Sequence, residues 1–195
     1  EGSLSNVNLN NSKCLGPKYC ILPSSISNKI NSIKKKVDNI LITFGGSDPC
    51  NFSSRIVKIL DAHKSSLIGI SKITLHLGIE NKEKEYIESL ISESSLHFEI
   101  LSNVKDFSLV MRKNDMAICS GGNTMYELCF LGIPSIVIPQ NSHQRNFALE
   151  LDSNKSLKLV DINDDFDNVF INSLKKLLND YEARKEYNAN SSKIF

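Results

Sequence analysis

Residues 40–49 of this chain read Ile-Leu-Ile-Thr-Phe-Gly-Gly-Ser-Asp-Pro, an apolar run that ends in a glycine-centred turn. The same arrangement recurs at residues 116–124, which read Met-Ala-Ile-Cys-Ser-Gly-Gly-Asn-Thr. Each run is typical of a buried strand, and a helix-like pattern follows each turn. Glycines let an anion approach the backbone, and a helix N-terminus supplies N–H groups and the positive end of its dipole. Two such turns on one sheet predict a site for a nucleotide diphosphate.

The rest of the sequence alternates between strand and helix patterns. Strands are predicted at residues 39–44, 70–77, 96–101, 115–119, 134–138 and 157–160. Helices are predicted at residues 51–64, 80–93, 104–111, 123–132, 143–153 and 166–190. This alternation predicts an α/β protein with a doubly wound parallel sheet. Ligands of such sheets bind outside the carboxyl ends of the strands, where both glycine turns lie.

Composition indicates one globular domain. The chain has 195 residues, 41% apolar and 23% charged residues, and a net charge of +1, which gives no electrostatic case for a nucleic-acid partner. No apolar run approaches the length of about 20 residues that crosses a bilayer. We expect a polar leader and interdomain linker over residues 1–38, a nucleotide-binding domain over residues 39–195, no membrane span and a cytoplasmic location.

Neither the cysteines nor the histidines predict a metal site. The five cysteines form no CxxC pair, and Cys119 and Cys129 fall in apolar stretches, which is typical of buried thiols in a reducing compartment. No HxxxH or His/Cys grouping is present. The GxSxG elbow and the GxxxxGK[ST] loop are also absent. We therefore expect no metal and no cofactor.

The first turn combines flexible backbone with one carboxylate. Gly45 and Gly46 permit close approach of a ligand, and Ser47 adds a hydroxyl donor. A carboxylate at Asp48 repels phosphate, so this residue is expected to cap the next helix, contact a sugar hydroxyl or organise the loop. Taken alone, the segment is better explained by an ordinary strand-to-helix turn capped by Ser47, Asp48 or Asn51.

The second turn is more specific. The segment 120–122, Ser-Gly-Gly, can present backbone N–H groups to a pyrophosphate, with Asn123 and Thr124 opening the helix. Glu127 follows one turn later, where a carboxylate can accept both ribose hydroxyls. The alternative is a capping box, because residues 124–127 fit the pattern S/T-x-x-E. The spacing after Ser-Gly-Gly favours ribose binding.

A third polar segment follows the apolar run 134–138. Gln144 and Asn146 can bind sugar hydroxyls or an acetamido group, and His143 and Arg145 can approach phosphates. A polar helix start with a solvated His143 is the alternative. For His143 alone we favour that alternative, whereas for Gln144 we favour a ligand contact.

Together these segments resemble the UDP-sugar hydrolases of pseudaminic acid biosynthesis and the related spore-coat polysaccharide biosynthesis proteins. The resemblance is carried by residues 15–22 (Leu-Gly-Pro-Lys-Tyr-Cys-Ile-Leu), 44–49 and 120–134. The chain is more distantly similar to the N-acetylglucosaminyltransferase that forms lipid II. The resemblance implies a Rossmann-like domain, the carboxyl-terminal half of a GT-B architecture, with UDP or a UDP-sugar as its ligand.

The resemblance also implies residue roles. It places the pyrophosphate at residues 120–124, the ribose at Glu127 and the uracil edge on the backbone of residues 103–105. The nucleotide-binding residues that it implies are Gly45, Gly46, Ser47, Val104, Ser120, Gly121, Gly122, Asn123, Thr124 and Glu127. The sugar-contacting residues that it implies are Asp48, His143, Gln144 and Asn146. Family members often carry asparagine where this chain has His143.

One element of the family is missing. Its general base is a histidine in a GxGHxxR turn of the amino-terminal domain, where it is thought to activate water for attack on the anomeric carbon and so release UDP and the free sugar. This sequence has no such turn, and a general base must reach the proton that it removes. We therefore expect a domain cut from a longer protein, inactive without an amino-terminal Rossmann-like partner.

Three other functions stay open. A glycosyltransferase of the same superfamily is the first, although its version of the first turn usually lacks the Asp-Pro pair of residues 48–49. A non-catalytic module that kept the nucleotide fold is the second. A flavodoxin-like or response-regulator domain is the third, and it leaves Glu127 after Ser-Gly-Gly unexplained.

Overall fold

The computed structural model describes residues 16–26 and 32–195 and contains one six-stranded sheet. Its strands are β1 (Asn39–Thr43), β2 (Lys72–His76), β3 (Phe98–Leu101), β4 (Met116–Cys119), β5 (Ser135–Val137) and β6 (Lys158–Leu159). All neighbouring strands are parallel, in the order β3-β2-β1-β4-β5-β6. The predicted Rossmann-like, doubly wound parallel sheet is therefore confirmed.

Seven α-helices cover the sheet within the described residues. They are α1 (Phe52–Ala62), α2 (Lys84–Glu93), α3 (Phe107–Arg112), α4 (Asn123–Leu131), α5 (Ser142–Ser153), α6 (Phe166–Asn179) and α7 (Tyr181–Ile194). Short 3₁₀ helices occupy Pro17–Tyr19 and Lys64–Leu67. Among the described residues, no helix has both the length and the apolar character needed to span a bilayer.

The sheet separates two hydrophobic cores. Side chains alternate along each strand, so Ile40 and Ile42 of β1 face one core and Leu41 faces the other. The first core takes apolar residues from α1, α2 and α6, and the second takes them from α3, α4 and α5. Because both faces are covered, the central strands are apolar throughout, as parallel strands usually are.

Two predicted helices have different bounds in the structure, because an aspartate side chain caps the helix that follows it. The single helix predicted over residues 166–190 is wrong, because Asp180 has extended backbone (φ −101°, ψ 93°) and separates α6 from α7. The Asp180 carboxylate accepts the Ala183 N–H at 2.9 Å and caps α7. Asp106 caps α3 in the same way through the Ser108 N–H, so that helix begins at Phe107 and not at residue 104.

The cysteines behave as predicted where the structure describes them. Cys119 and Cys129 are buried, and no described cysteine forms a disulfide. Cys14 lies outside the described residues.

The described part of the predicted linker contacts the domain: Ile26 and Val37 are buried, one in each core.

Arg184 fastens this linker to the carboxyl-terminal helices. Its side chain is 1% exposed, and the guanidinium donates hydrogen bonds to the carbonyl oxygens of Leu177 and Leu178 at the end of α6. It also donates to the carbonyl oxygens of Lys34 and Lys35. Burial lowers the pKa of Arg184, but an ordinary arginine pKa lies so high that the group stays charged near neutral pH. One buried cation therefore satisfies four carbonyl oxygens from two segments.

We predict that Arg184→Met lowers the free energy of unfolding by about 3 kcal/mol, because it leaves buried carbonyl oxygens without donors. Lys185→Met is the matched control, since Lys185 is exposed on the same helix and its ammonium group contacts only surface partners, the Glu182 carboxylate and the Tyr181 ring, among the described residues. Urea unfolding followed by circular dichroism measures both variants. Equal stability of the two variants would contradict the role assigned to Arg184.

Candidate nucleotide-binding site

The two glycine turns lie side by side at the carboxyl edge of the sheet. They follow β1 and β4, which are neighbours paired up to Thr43 and Cys119. From β1 the chain continues to β2 on one side, and from β4 it continues to β5 on the other. Strand order therefore reverses between β1 and β4, and this is where parallel sheets open a crevice for ligands.

The first turn leaves room for a ligand. Gly45 has φ +83°, a conformation that favours glycine, and a Cβ atom added at Gly45 or Gly46 would meet nothing within 4 Å. Behind the turn, the backbone of Gly46 contacts Gly78, the second residue after β2, so closely that a Cβ at Gly78 would overlap the Gly46 carbonyl group. Sequence reasoning missed Gly78, because its need for glycine arises only from this contact.

Asp48 caps α1. The residue is 2% exposed, and its carboxylate accepts the N–H groups of Phe52 at 3.0 Å and Ser53 at 2.7 Å. Of the three roles left open for Asp48, the structure shows two: helix capping, and organisation of the loop through the hydrogen bond that its carboxylate accepts from the Gln140 side-chain amide. Its predicted sugar contact stays a prediction that the burial of this carboxylate disfavours.

The second turn leads into a helix whose N-terminus has no side-chain cap. Helix α4 begins at Asn123 with Gly122 as its N-cap residue, and no side chain of residues 16–26 or 32–195 accepts a hydrogen bond from the N–H groups of residues 122–124. Thr124 lies within the first turn of the helix and is not its N-cap residue, so the alternative of a capping box over residues 124–127 is not formed. The first N–H groups of any helix lack an intrahelical acceptor. Because α4 directly follows β4, its N-terminus lies at the carboxyl edge of the sheet, and Ser120 in the connecting turn is buried.

Glu127 lies one turn into α4. It is four residues after Asn123 and therefore on the same helix face. The side chain is half-buried, and burial raises the pKa of Glu127. Burial raises the pKa of the Cys20 thiol, and the negative charge of the Glu127 carboxylate raises it further. The linker residue Cys20 is therefore near this acid.

The Gln144 side chain contacts the second turn by accepting hydrogen bonds from backbone N–H groups. Helix α5 begins at Ser142, where the Asn141 side chain accepts the Gln144 N–H at 3.0 Å. The Gln144 side-chain oxygen accepts the N–H groups of Gly121 at 3.2 Å and Gln140 at 2.9 Å. Because these two donors fix the orientation of the amide, its NH₂ group is the part left for a ligand.

The other polar residues of α5 differ in their surroundings. His143 and Asn146 are exposed. Arg145, which the sequence analysis placed within reach of phosphates, forms a two-pronged ion pair with Asp161, with both N–O distances at 2.8 Å. A cavity of about 370 Å³ lies here, lined by Pro139, Gln140, Asn141, Arg145, Asp161 and Ile162.

The remaining predicted contact is Val104, in the loop between β3 and α3. It is half-buried, and the preceding residue, Asn103, has φ +53°. His76, at the end of β2, lies beside this loop: its ring packs 4.4 Å from that of Phe107, and its Nδ1 is 3.1 Å from the Thr43 hydroxyl. Burial lowers the pKa of His76, so its imidazole is neutral near pH 7. In the described chain no three His, Cys, Asp or Glu side chains group as metal ligands.

Comparison with known proteins assigns the fold to a family. The profile of glycosyltransferase family 28 C-terminal domains matches residues 39–195. The chain belongs to this family. Its domain is therefore the carboxyl-terminal Rossmann-like half of a GT-B architecture.

Two relatives and one solved structure illustrate the family 28 domain. The chain is 28% identical over 131 residues to the spore coat polysaccharide biosynthesis protein SpsG of Bacillus subtilis, covering 66% of this chain and 38% of the relative. It is 32% identical over 145 residues to the pseudaminic acid cytidylyltransferase and UDP-2,4-diacetamido-2,4,6-trideoxy-beta-L-altropyranose hydrolase of Helicobacter pylori, covering 73% and 25%. The crystal structure of Acinetobacter baumannii MurG superposes with a TM-score of 0.61 and 20% identity, covering 83% and 49%. The chain thus spans less than half the length of each.

We predict a large loss of stability for one glycine substitution and a small change for another, at the two residues whose backbones meet behind the first turn. Gly78→Ala lowers the free energy of unfolding by about 2 kcal/mol, because its methyl group displaces the Gly46 backbone. Gly46→Ala changes it by about 0.5 kcal/mol or less, since its methyl group enters open space. Guanidinium unfolding measures both. A Gly78→Ala variant as stable as Gly46→Ala would contradict the close contact.

Proposed function

We propose that this family 28 domain binds the UDP moiety of a nucleotide sugar. The observation that carries the proposal is the uncapped N-terminus of α4, which has Glu127 one turn later and the open Gly45–Gly46 turn beside it. The N–H donors at the start of α4 suit an anion, and the Glu127 carboxylate one turn later suits a ring that carries hydroxyl groups. A nucleoside diphosphate carries both groups at about that separation.

The pyrophosphate is assigned to the second turn. Because the Gly121 N–H is already bound to Gln144, the donors for the phosphates are the N–H groups of Gly122, Asn123 and Thr124, and Ser120 shapes the turn from behind. The first turn, with Gly45, Gly46 and the exposed Ser47 hydroxyl, approaches the distal phosphate from the neighbouring strand. Backbone donors fixed in this way stabilise an anion without needing a charged side chain.

The nucleoside and the sugar are assigned to opposite sides of the pyrophosphate. Glu127 accepts the ribose hydroxyls, and the backbone around Val104 contacts the uracil edge. His143, Gln144 and Asn146 face the sugar, with the Gln144 amide acting as a donor because its oxygen is engaged. The cavity beside Gln140 and Arg145 gives space for substituents of the sugar.

We further propose that the whole enzyme is a cytoplasmic hydrolase of a UDP-2,4-diacetamido-2,4,6-trideoxy-hexose in nonulosonic acid or surface polysaccharide biosynthesis. The support is the similarity to the Helicobacter pylori hydrolase and to SpsG, together with the Asp-Pro pair of residues 48–49. Water attacks the anomeric carbon, and UDP and the free sugar leave. The general base that accepts the proton of water is assigned to an amino-terminal domain, which also supplies most sugar contacts.

A GT-B glycosyltransferase is the second candidate, favoured by the family itself and by the superposition on MurG. Both candidates use the same nucleotide site and differ in the acceptor, which is water in one and a hydroxyl of a lipid or glycan in the other. Assaying the full-length enzyme with UDP-sugar alone separates them: a hydrolase releases stoichiometric UDP and free sugar without an acceptor.

We predict that Glu127→Ala weakens UDP binding about 10- to 100-fold, the loss expected for hydrogen bonds to a charged group. Isothermal titration calorimetry of the chain with UDP and with 2′-deoxy-UDP measures the effect. The unmodified chain should prefer UDP, and the variant should lose this preference.

The matched control for this measurement is Glu88→Ala, which removes an exposed carboxylate on α2, on the other face of the sheet. Unchanged affinity in Glu88→Ala together with a loss of ribose discrimination in Glu127→Ala supports the assignment. Equal discrimination by Glu127→Ala and the unmodified chain would rule out Glu127 as the ribose ligand.

We also predict a pH dependence that comes from Glu127. Because burial raises its pKa, the carboxylate takes up its proton at a higher pH than an ordinary glutamate, and UDP affinity falls as the pH decreases through that range. The stability of the fold depends on pH in the opposite direction to the affinity for UDP. Because the pKa of Glu127 is higher in the folded chain than in the unfolded chain, its contribution to the free energy of unfolding is present at low pH and is lost as the pH rises through the folded-state pKa.

Comparing the unmodified chain with Glu127→Gln at each pH isolates this effect from the titration of UDP itself. The difference in affinity should shrink on acidification. A difference that is constant from pH 8 to pH 5 would show that the Glu127 carboxylate does not contact the ligand.

A further inference from the structure

Gln140, the second residue after Ile138 in the loop that follows β5, holds both ends of the first glycine turn. Its side-chain NH₂ group donates to the Phe44 carbonyl oxygen at 3.1 Å and to the Asp48 carboxylate at 3.3 Å. Phe44 precedes the turn, and Asp48 follows it. A single half-buried amide therefore fixes the backbone on both sides of the segment 45–47.

The same residue reaches the second turn through its backbone. The Gln140 N–H donates to the Gln144 side-chain oxygen at 2.9 Å, and that oxygen also accepts the Gly121 N–H at 3.2 Å. A Cβ atom added at Gly121 would lie 2.8 Å from the Gln144 carbonyl oxygen, so the first turn of α5 and the second glycine turn are in close backbone contact. We call this path from Phe44 and Asp48 through Gln140 and Gln144 to Gly121 the glutamine relay.

The glutamine relay joins two turns that the sheet alone leaves separate. The pairing of β1 with β4 ends at Thr43 and Cys119, before either turn begins. Among the hydrogen bonds of the described residues, none runs directly between residues 44–48 and residues 120–124. The hydrogen bonds that connect the two turns therefore run through Gln140 and Gln144, which belong to neither turn.

We propose that Gln140 is a positioning residue that holds the two turns at the separation at which both act on one diphosphate. The proposal rests on the proposed nucleotide function. The distal phosphate of UDP is the group that both turns reach, whereas UMP needs only the N-terminus of α4. Preorganised donors bind without the cost of ordering them, so loss of Gln140 weakens the binding of UDP more than that of UMP.

The test compares Gln140→Leu with the unmodified chain. Leucine keeps approximately the size of the side chain and removes both donors; Gln140→Asn, which withdraws the amide by one methylene group, is the second variant if Gln140→Leu does not fold. We expect UDP affinity to fall about tenfold and UMP affinity to fall less than about threefold by calorimetry, as for the loss of one or two hydrogen bonds.

Asn188→Ala is the matched control. It also removes an amide donor to a backbone carbonyl, that of Gly132, at the far end of α4 from the nucleotide site. This variant should lower the melting temperature while leaving the ratio of UDP to UMP affinity unchanged. A Gln140→Leu variant that leaves this ratio unchanged, as Asn188→Ala does, would reduce Gln140 to a structural role and overturn the proposal.

Amide hydrogen exchange gives a readout that needs no nucleotide. In Gln140→Leu the Gly121 amide should exchange at least several-fold faster, while the amides of β4 keep their protection. Unchanged exchange at Gly121 would overturn the glutamine relay even if nucleotide binding falls. If the unmodified chain does not bind UDP, the proposed function is overturned, and with it the role of Gln140 in diphosphate binding. Hydrogen exchange would then still test the glutamine relay by itself.

Discussion

The parallel pairing of β1 with β4 is the constraint on which the site depends. Both strands are buried on both faces and end at the same edge of the sheet, paired up to Thr43 and Cys119. Because the chain leaves them in opposite directions, a crevice opens at their carboxyl ends. Two glycine turns that are 75 residues apart in sequence therefore become neighbours in space.

Four polar side chains at this edge bind the backbone. Asp48 caps α1, Asn141 caps α5, and the Gln140 and Gln144 amides connect neighbouring loops. The groups that remain for a ligand are largely backbone N–H donors, with the Glu127 carboxylate as the main side-chain acceptor. A site built in this way holds its donors rigidly, because each loop is fastened by another.

The linker before β1 is fastened to the domain as well. Arg184 binds the carbonyl oxygens of Lys34 and Lys35, and Asp115 accepts the N–H groups of Asp38 and Asn39. Further upstream, Cys20 lies beside Glu127. One described part of the linker thus lies near the acid that we assign to the ribose, and another, residues 34–39, is held by partly buried hydrogen bonds.

The sequence by itself determined the six parallel strands, the places of both glycine turns and the position of Glu127 after the second. These features depend on local patterns, namely apolar runs ended by glycine and helical spacing after them, which neighbours along the chain are sufficient to define. Short-range competition was harder to judge, since the capping carboxylates of Asp106 and Asp180 outweighed the helical pattern around them. Only the tertiary structure decided that Gly78 must be glycine, that Gln140 joins the turns and that the Gln144 oxygen is engaged. Each of these depends on contacts between segments that are distant in sequence, and such contacts exist only once the sheet order has brought the loops together.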